Sequence, residues 1–291
     1  MKRREFIKKG ILLTTPLLMS NTLLAESLKA ESHLTIMHTN DTHSRLDPFP
    51  EGSGYRTGMG GVAMRATLIK KLRAENPNNL LLDAGDAFQG TPYFNFYEGR
   101  LEYETMSMLG YDYTTLGNHE FDLGTEGLLK AMDFLNFKVI SSNCKSKLPK
   151  FNKHVLSNEI IVKDGVKIGI FGLTVDFKGL VSPDSYKGIE RTDSVETAKE
   201  EIKYLKSQNV DYIILLSHLG IEDDEKLVKV VDGIDLIVGG HSHTKIEQPI
   251  KSKNGTLILQ AASSGIFLGK LDLHFKDKKL DSYNYRLIPV K

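Results

Sequence analysis

Residues 116–124 (LGNHEFDLG) crowd an amide, an imidazole and two carboxylates, Asn118, His119, Glu120 and Asp122, directly after the strand-like run YDYTT. The same side-chain types recur in NDTH (Asn40, Asp41, His43), GDAFQG (Asp86), LSHLG (His218) and GGHSH (His241, His243). Five of the nine histidines lie in these stretches. Imidazole and carboxylate together suit borderline divalent ions such as Zn²⁺, Mn²⁺ or Fe²⁺, and the single cysteine, Cys144, excludes a thiolate site. So many potential ligands exceed what one tetrahedral ion takes. They suit two ions about 3.5–4 Å apart that share a carboxylate, which clamps the attacking and leaving oxygens of a displacement at phosphorus. Asp41 and His43, like His241 and His243, are two apart, so each pair would face one side of an extended backbone. Gly85, Gly117, Gly239 and Gly240 precede these residues and would let backbone approach a charged centre closely, although plain turns would place glycine there too.

Side chains this far apart in sequence converge only if regular elements deliver them. Short β-branched or leucine-rich runs read as strands at residues 34–38, 80–82, 113–116, 138–141, 160–162, 166–171, 212–216, 236–238 and 256–260. Apolar residues at helical spacing fall between them, at residues 62–73, 101–109, 126–135, 195–208 and 224–231. The tail from residue 266 reads as a hairpin, with Leu271, Leu273 and Phe275, then Tyr283, Tyr285 and Leu287, alternating around a lysine-rich turn. Alternating β and α with antiparallel strands late implies an α/β layered sheet structure, in which sites gather beyond the carboxyl ends of strands. Five predicted strand ends each deliver a metal-capable side chain. One such histidine is an ordinary loop residue; five ends sharing the feature point to one centre.

The 291 residues are 40% hydrophobic and 26% charged, as expected for a globular chain with a sizeable core. Residues 1–30 are set aside as a signal peptide, because MKRREFIKKG is basic and the following apolar run is too short and polar to span a bilayer. Arg3 and Arg4, followed by Glu5, Phe6, Ile7 and Lys8, resemble the twin-arginine export signal, with cleavage expected after Ser27 or Ala30. Export to the periplasm or beyond, without a stable membrane anchor, is therefore expected. Residues 28–291 carry 33 basic and 35 acidic side chains, which does not advertise a nucleic-acid partner. Residues 31–291 fit one domain, with no long linker and no internal repeat.

The five motifs, in this order, resemble the calcineurin-like metallophosphoesterases, and HTNDTHSRL with LGNHEFDLG is most similar to the 5′-nucleotidase branch. The resemblance spans about residues 34–290 and implies a four-layer α/β/β/α sandwich with mixed sheets around two divalent ions. Carried over motif by motif, it gives one ion to Asp41, His43 and His243, the other to Asn118, His218 and His241, with Asp86 bridging. It makes His119 a catalytic residue off the metals, facing substrate together with Asn118, and Asp122 the group that orients its ring. Asp122 would otherwise cap the helix entered at Gly124 or Thr125, and Glu120 is left as a supporting residue. The implied reaction is hydrolysis of phosphate monoesters, such as 5′-nucleotides, by attack of a metal-bound hydroxide.

The branch also carries a C-terminal nucleoside-binding domain, whereas this chain ends at Lys291 after its predicted hairpin. Two expectations follow: a self-sufficient phosphatase, or a catalytic subunit completed by a separate nucleotide-binding domain protein. The aromatic run TPYFNFY near Asp86 is expected to serve packing rather than base stacking. A metal-binding or partner-binding module without catalysis is the reading from another class. The presence of both His119 and Asp122 favours an enzyme over it.

Overall fold

The computed structural model of the protein describes residues 31–291, so the expected export signal lies outside the described residues. The chain runs from β1 (Glu31–Thr39) through α1 (Val62–Glu75), β2 (Asn79–Asp83), α2 (Pro92–Tyr97), α3 (Arg100–Leu109), β3 (Tyr113–Thr114) and α4 (Gly124–Ala131). It continues through β4 (Lys138–Ile140), β5 (Cys144–Ser146), α5 (Pro149–His154), β6 (Val155–Leu156), β7 (Asn158–Lys163), β8 (Val166–Thr174) and β9 (Ile189–Arg191). The last third holds α6 (Ser194–Ser207), β10 (Tyr212–His218), α7 (Ile221–Val230), β11 (Leu236–Gly239), β12 (Ile250–Lys251), β13 (Leu257–Leu259), β14 (Phe267–Lys276) and β15 (Lys279–Pro289).

The strands form a seven-stranded sheet, β15-β14-β1-β2-β3-β4-β6, and a six-stranded sheet, β12-β13-β11-β10-β8-β7, with β5 and β9 as a separate pair. In the first, β1, β2, β3, β4 and β6 are mutually parallel; in the second, β8, β10, β11 and β13 are. Antiparallel pairing is confined to the flanks, the β14–β15 hairpin beside β1 in the first sheet and β12 and β7 at the ends of the second, so both sheets are mixed.

Period-two alternation sets the layering. Ile36, Leu80 and Leu82 pack with Ile214, Leu216 and Val238 in one cluster, where the two sheets face each other. Their neighbours point the other way: Met37 and Leu81 meet Ile69 of α1 and Met106 of α3, while Ile213 and Leu215 meet Ile202 of α6 and Leu227 of α7. Helices therefore cover the outer faces of both sheets, giving the expected four layers. Strands buried on both faces read as near-continuous apolar runs, which is why the sequence marks them so clearly.

All nine predicted strands, the five helices and the terminal hairpin are present, with differences at boundaries. The strand expected over 113–116 stops at Thr114, and the Leu116 carbonyl instead accepts a hydrogen bond from Thr174 Oγ1 of β8, 2.8 Å away on the other sheet. The helix expected over 126–135 ends at Ala131 and tightens into a 3₁₀ turn over Met132–Phe134. TPYFNFY, expected only to pack, forms α2, started by Pro92 and burying Phe94 alone. Among the described residues, no helix is long and apolar enough to cross a membrane.

Candidate metal centre

The carboxyl ends of β1, β2 and β3 bring Asp41, His43, Asp86 and Asn118 to one edge of the sandwich, where β10 and β11 deliver His218, His241 and His243. The loops after β1 and β2 are laced together by backbone: Asp41 N donates to Gly85 O, His43 N to Asp86 O and Ser44 N to Ala87 O, at 2.8–3.1 Å. The loop after β11 is tied to the same place by the backbone N–H of His241, 3.0 Å from Asp41 Oδ2.

The paired spacing has a different cause from the one expected. Asp41 and His43 do not lie on extended backbone; their φ angles are 49° and 48°, and those of Asp86, His241 and His243 are 55°, 70° and 53°. Five of the seven candidate ligands thus sit in the left-handed region, at a cost of roughly 1–2 kcal/mol each outside glycine. The lacing of the three loops holds them there, and the turns aim both members of each pair inward.

Three groups of ligand atoms lie close enough to share an ion: Asp41, His43 and His243; Asp86, His218 and His241; and His43, Asp86 and His119. In the first, His243 Nε2 is 3.2 Å from Asp41 Oδ1, and the Nε2 atoms of His43 and His243 face each other at 3.0 Å. His43 Nδ1 points at the Phe88 carbonyl, 3.2 Å away, so its proton belongs there and its Nε2 lone pair faces the centre. His218 repeats the pattern, with Nδ1 donating to Ala84 O at 2.6 Å. Its Nε2 is buried with no hydrogen bond, although Asp86 Oδ2 is 3.0 Å away, and Asn118 Oδ1 is equally buried and unpartnered. Buried ligand atoms without a hydrogen bond are what a cation would satisfy.

The electrostatics agree. Burial opposes charge on His218, yet Asp86, helped by Asp41, raises its pKa to about 10, so a proton takes the place a metal cation would compete for. Burial likewise opposes ionisation of Asp86, but His218, His119 and His43 hold it well below the carboxylate range. Burial lowers the pKa values of His43 and His241, while the hydrogen bond from His243 to Asp41 raises that of His243.

His119 Nδ1 lies 2.8 Å from Asp122 Oδ2, and this hydrogen bond raises its pKa. Asp122 therefore orients the ring; α4 has no side-chain cap, so the capping alternative is not realised. The backbone N–H of His119 also donates to Asp86 Oδ1 at 2.9 Å. Glu120, two positions before Asp122, turns inward and accepts from three backbone N–H groups: Gly117 at 2.6 Å, Ala87 at 2.8 Å and Asp86 at 3.0 Å.

Two amides escaped the sequence reading as supports. Gln260 Nε2 donates to Gly240 O at 2.6 Å, and its Oε1 accepts from Ser242 Oγ and Thr244 N, so one buried side chain braces the turn that bears His241 and His243. Asn40 Nδ2 donates to Asp41 Oδ2 and Ala262 O, and its Oδ1 accepts from Ala261 N. A polar residue closing an apolar strand was the available signal. Two glycines are required by space: a Cβ on Gly117 would strike the Asp86 carboxylate and lie 2.7 Å from His218 Nε2, and one on Gly240 would lie 2.7 Å from Ala84 O.

The sequence matches the model of the calcineurin-like phosphoesterase family over residues 34–245. It is 38% identical over 270 residues to a snake venom 5′-nucleotidase of Gloydius brevicauda, covering 84% of this chain and 46% of the relative. The structure is similar to that of a 5′-nucleotidase precursor from Thermus thermophilus, with TM-score 0.80 and 35% identity over 88% of this chain and 54% of that one. It is also similar to Haemophilus influenzae NAD nucleotidase, with TM-score 0.80 and 32% identity over 89% of this chain and 50% of that one. The chain spans about half the length of these relatives.

Proposed function

The chain belongs to the calcineurin-like phosphoesterase family, and from that premise we propose that it hydrolyses phosphate monoesters such as 5′-nucleotides at a pair of divalent ions. Asp41, His43 and His243 would hold one ion and Asn118, His218 and His241 the other, with the Asp86 carboxylate between them. The observation that carries this reading is the convergence of Asp86, His218 and His241, with His218 Nε2 buried, without a hydrogen bond and 3.0 Å from Asp86 Oδ2. The donor set of imidazole, amide and carboxylate suits Zn²⁺, Mn²⁺ or Fe²⁺. Bound divalent ions supply Lewis-acid polarisation of a phosphoryl group and lower the pKa of a water molecule.

The other contributions belong to the chain. Asp122 keeps a proton on His119 Nδ1 and leaves Nε2 as the ring atom available to the phosphoryl oxygens or the leaving group. In this reading Asn118 meets the same phosphoryl group. Glu120 fixes the Asp86 and Gly117 backbones relative to each other, which sets the spacing between the central carboxylate and Asn118. Export through a twin-arginine signal would carry the chain across the membrane already folded, and Arg3→Lys with Arg4→Lys should then retain the precursor inside.

The test is metal analysis of the protein coupled to hydrolysis of AMP, an aryl phosphate, an aryl phosphodiester and a 2′,3′-cyclic nucleotide. Two ions per chain and chelator-sensitive turnover, fastest on the monoesters, are expected. No metal after reconstitution, or metal without turnover of any ester, would overturn the reading.

A further inference from the structure

Beside the loop that bears His43 lies a pocket of about 620 Å³, between residues 45–47 and α2. None of the seven candidate ligands lines it, but it adjoins them. Thr91, at its wall, donates through Oγ1 to the backbone oxygen of Ser44 at 2.8 Å, and Gly90 packs so tightly on His43 that a Cβ there would lie 2.9 Å from the histidine Cβ. The volume falls in the usual range for small-molecule sites.

Its lining is unusual for a surface with only a packing role. Phe96 is 81% exposed and Tyr97 49% exposed, adjacent on a six-residue helix that buries only Phe94. Arg45 lies 4.2 Å above the ring of Phe49 and has no ion pair among the described residues. Its guanidinium, which lines the pocket, makes no hydrogen bond among the described residues; Nε is buried, and the terminal nitrogens are left for a ligand. The acid nearest in sequence, Asp47, is engaged by the Tyr93 hydroxyl at 2.7 Å. The pocket therefore offers flat apolar faces together with an unsatisfied planar donor.

The geometry points to this pocket as the seat of the heteroaromatic base carried by the leaving nucleoside of a nucleoside 5′-monophosphate. The base stacks on Phe96 and Tyr97, and Arg45 donates to its carbonyl or ring-nitrogen acceptors. A plain aryl ring would use the stacking but leave Arg45 unsatisfied, and a sugar phosphate would use neither. This inference rests on the phosphoesterase reading for its substrate and specifies what selects among esters.

Two readouts on the metal-loaded full chain keep it separate from that reading. In saturation-transfer-difference NMR, the base protons of adenosine, which has no phosphate to hydrolyse, should receive saturation from the wild type and lose most of it in Phe96→Ala. In kinetics, the ratio of kcat/KM for AMP to that for ribose 5-phosphate should fall about 10-fold in Phe96→Ala and in Arg45→Ala, the scale of one stacked base. An unchanged ratio, or wild-type protein that does not saturate the base, overturns the assignment. If neither ester is turned over, the phosphoesterase reading fails, and the adenosine experiment still decides the pocket. Because Phe96 is exposed, its truncation leaves the fold testable by an unchanged melting curve.

Discussion

Glu120 and Asp122 stand two positions apart and face different tasks, one inward to three backbone donors and one outward to an imidazole. That division gives a clean contrast between variants. His119→Asn removes the ring while leaving the seven candidate ligands in place, so metal content should stay near that of wild type while turnover falls roughly 10²–10⁴-fold. Asp86→Asn removes the central charge, and metal analysis should show loss at both positions. Metal loss in the His119 variant would mean that it ligates, as its proximity to His43 and Asp86 permits. The candidate ligands were legible in sequence because their types are chemically distinctive and follow apolar runs. The left-handed backbone at five of them was not, since aspartate and histidine adopt it only when tertiary contacts demand it.

The elements that present these residues were legible wherever burial imposed a pattern. Apolar strands and amphipathic helices have one, and even the short β3, β4 and β13 were marked by the apolar or β-branched runs around them, whereas the equally short β5, β6, β9 and β12 lie among charged and polar residues that leave no run to read. The helices α2 and α5 begin with Pro92 and Pro149, which read as turn signals although proline suits a first helical turn. Gln260 follows β13 directly and acts on the turn after β11, a relation that depends on strand order and hence on topology. Gln260→Leu should keep the sheet but loosen the turn holding His241 and His243. We expect metal affinity, measured by competition with a chelator, to weaken about 10–100-fold, as for other residues that brace ligands. Wild-type affinity would show that the backbone alone holds the turn.

For the molecule as a whole, His38 links packing to pH. It is sealed between β14 and Tyr285, whose hydroxyl is 3.3 Å from its Nε2, and burial lowers its pKa from 6.5 to about 3. The unfolded chain takes up a proton near pH 6.5 that the folded chain refuses, so the folded state loses stability as pH falls from 6.5 toward 3. Between pH 7 and 5 this linkage amounts to about 2 kcal/mol. Burial raises Asp83 to about 6 and Asp224 to about 7, which acts in the opposite sense, so the measurement must be a difference. Denaturant unfolding of His38→Phe at the two pH values should show a smaller acid loss than wild type by about that amount. Equal losses would place the sensitivity elsewhere.

Chelation should also lower the melting temperature, by roughly 5–10 °C for each ion held at about 100 times its dissociation constant. The reason lies in where the side chains originate. Asp41, His43, Asp86 and Asn118 come from one sheet, and His218, His241 and His243 from the other. Ions shared across that seam would tether residue 41 to residue 243, about 200 residues apart in the chain, and would do so only in the folded state, which is how binding there stabilises it. With one cysteine, the chain can form no internal disulfide. The centre would thus be a reversible rivet as well as a site of chemistry, and its removal should let amide hydrogens at the ends of β1 and β11 exchange faster together.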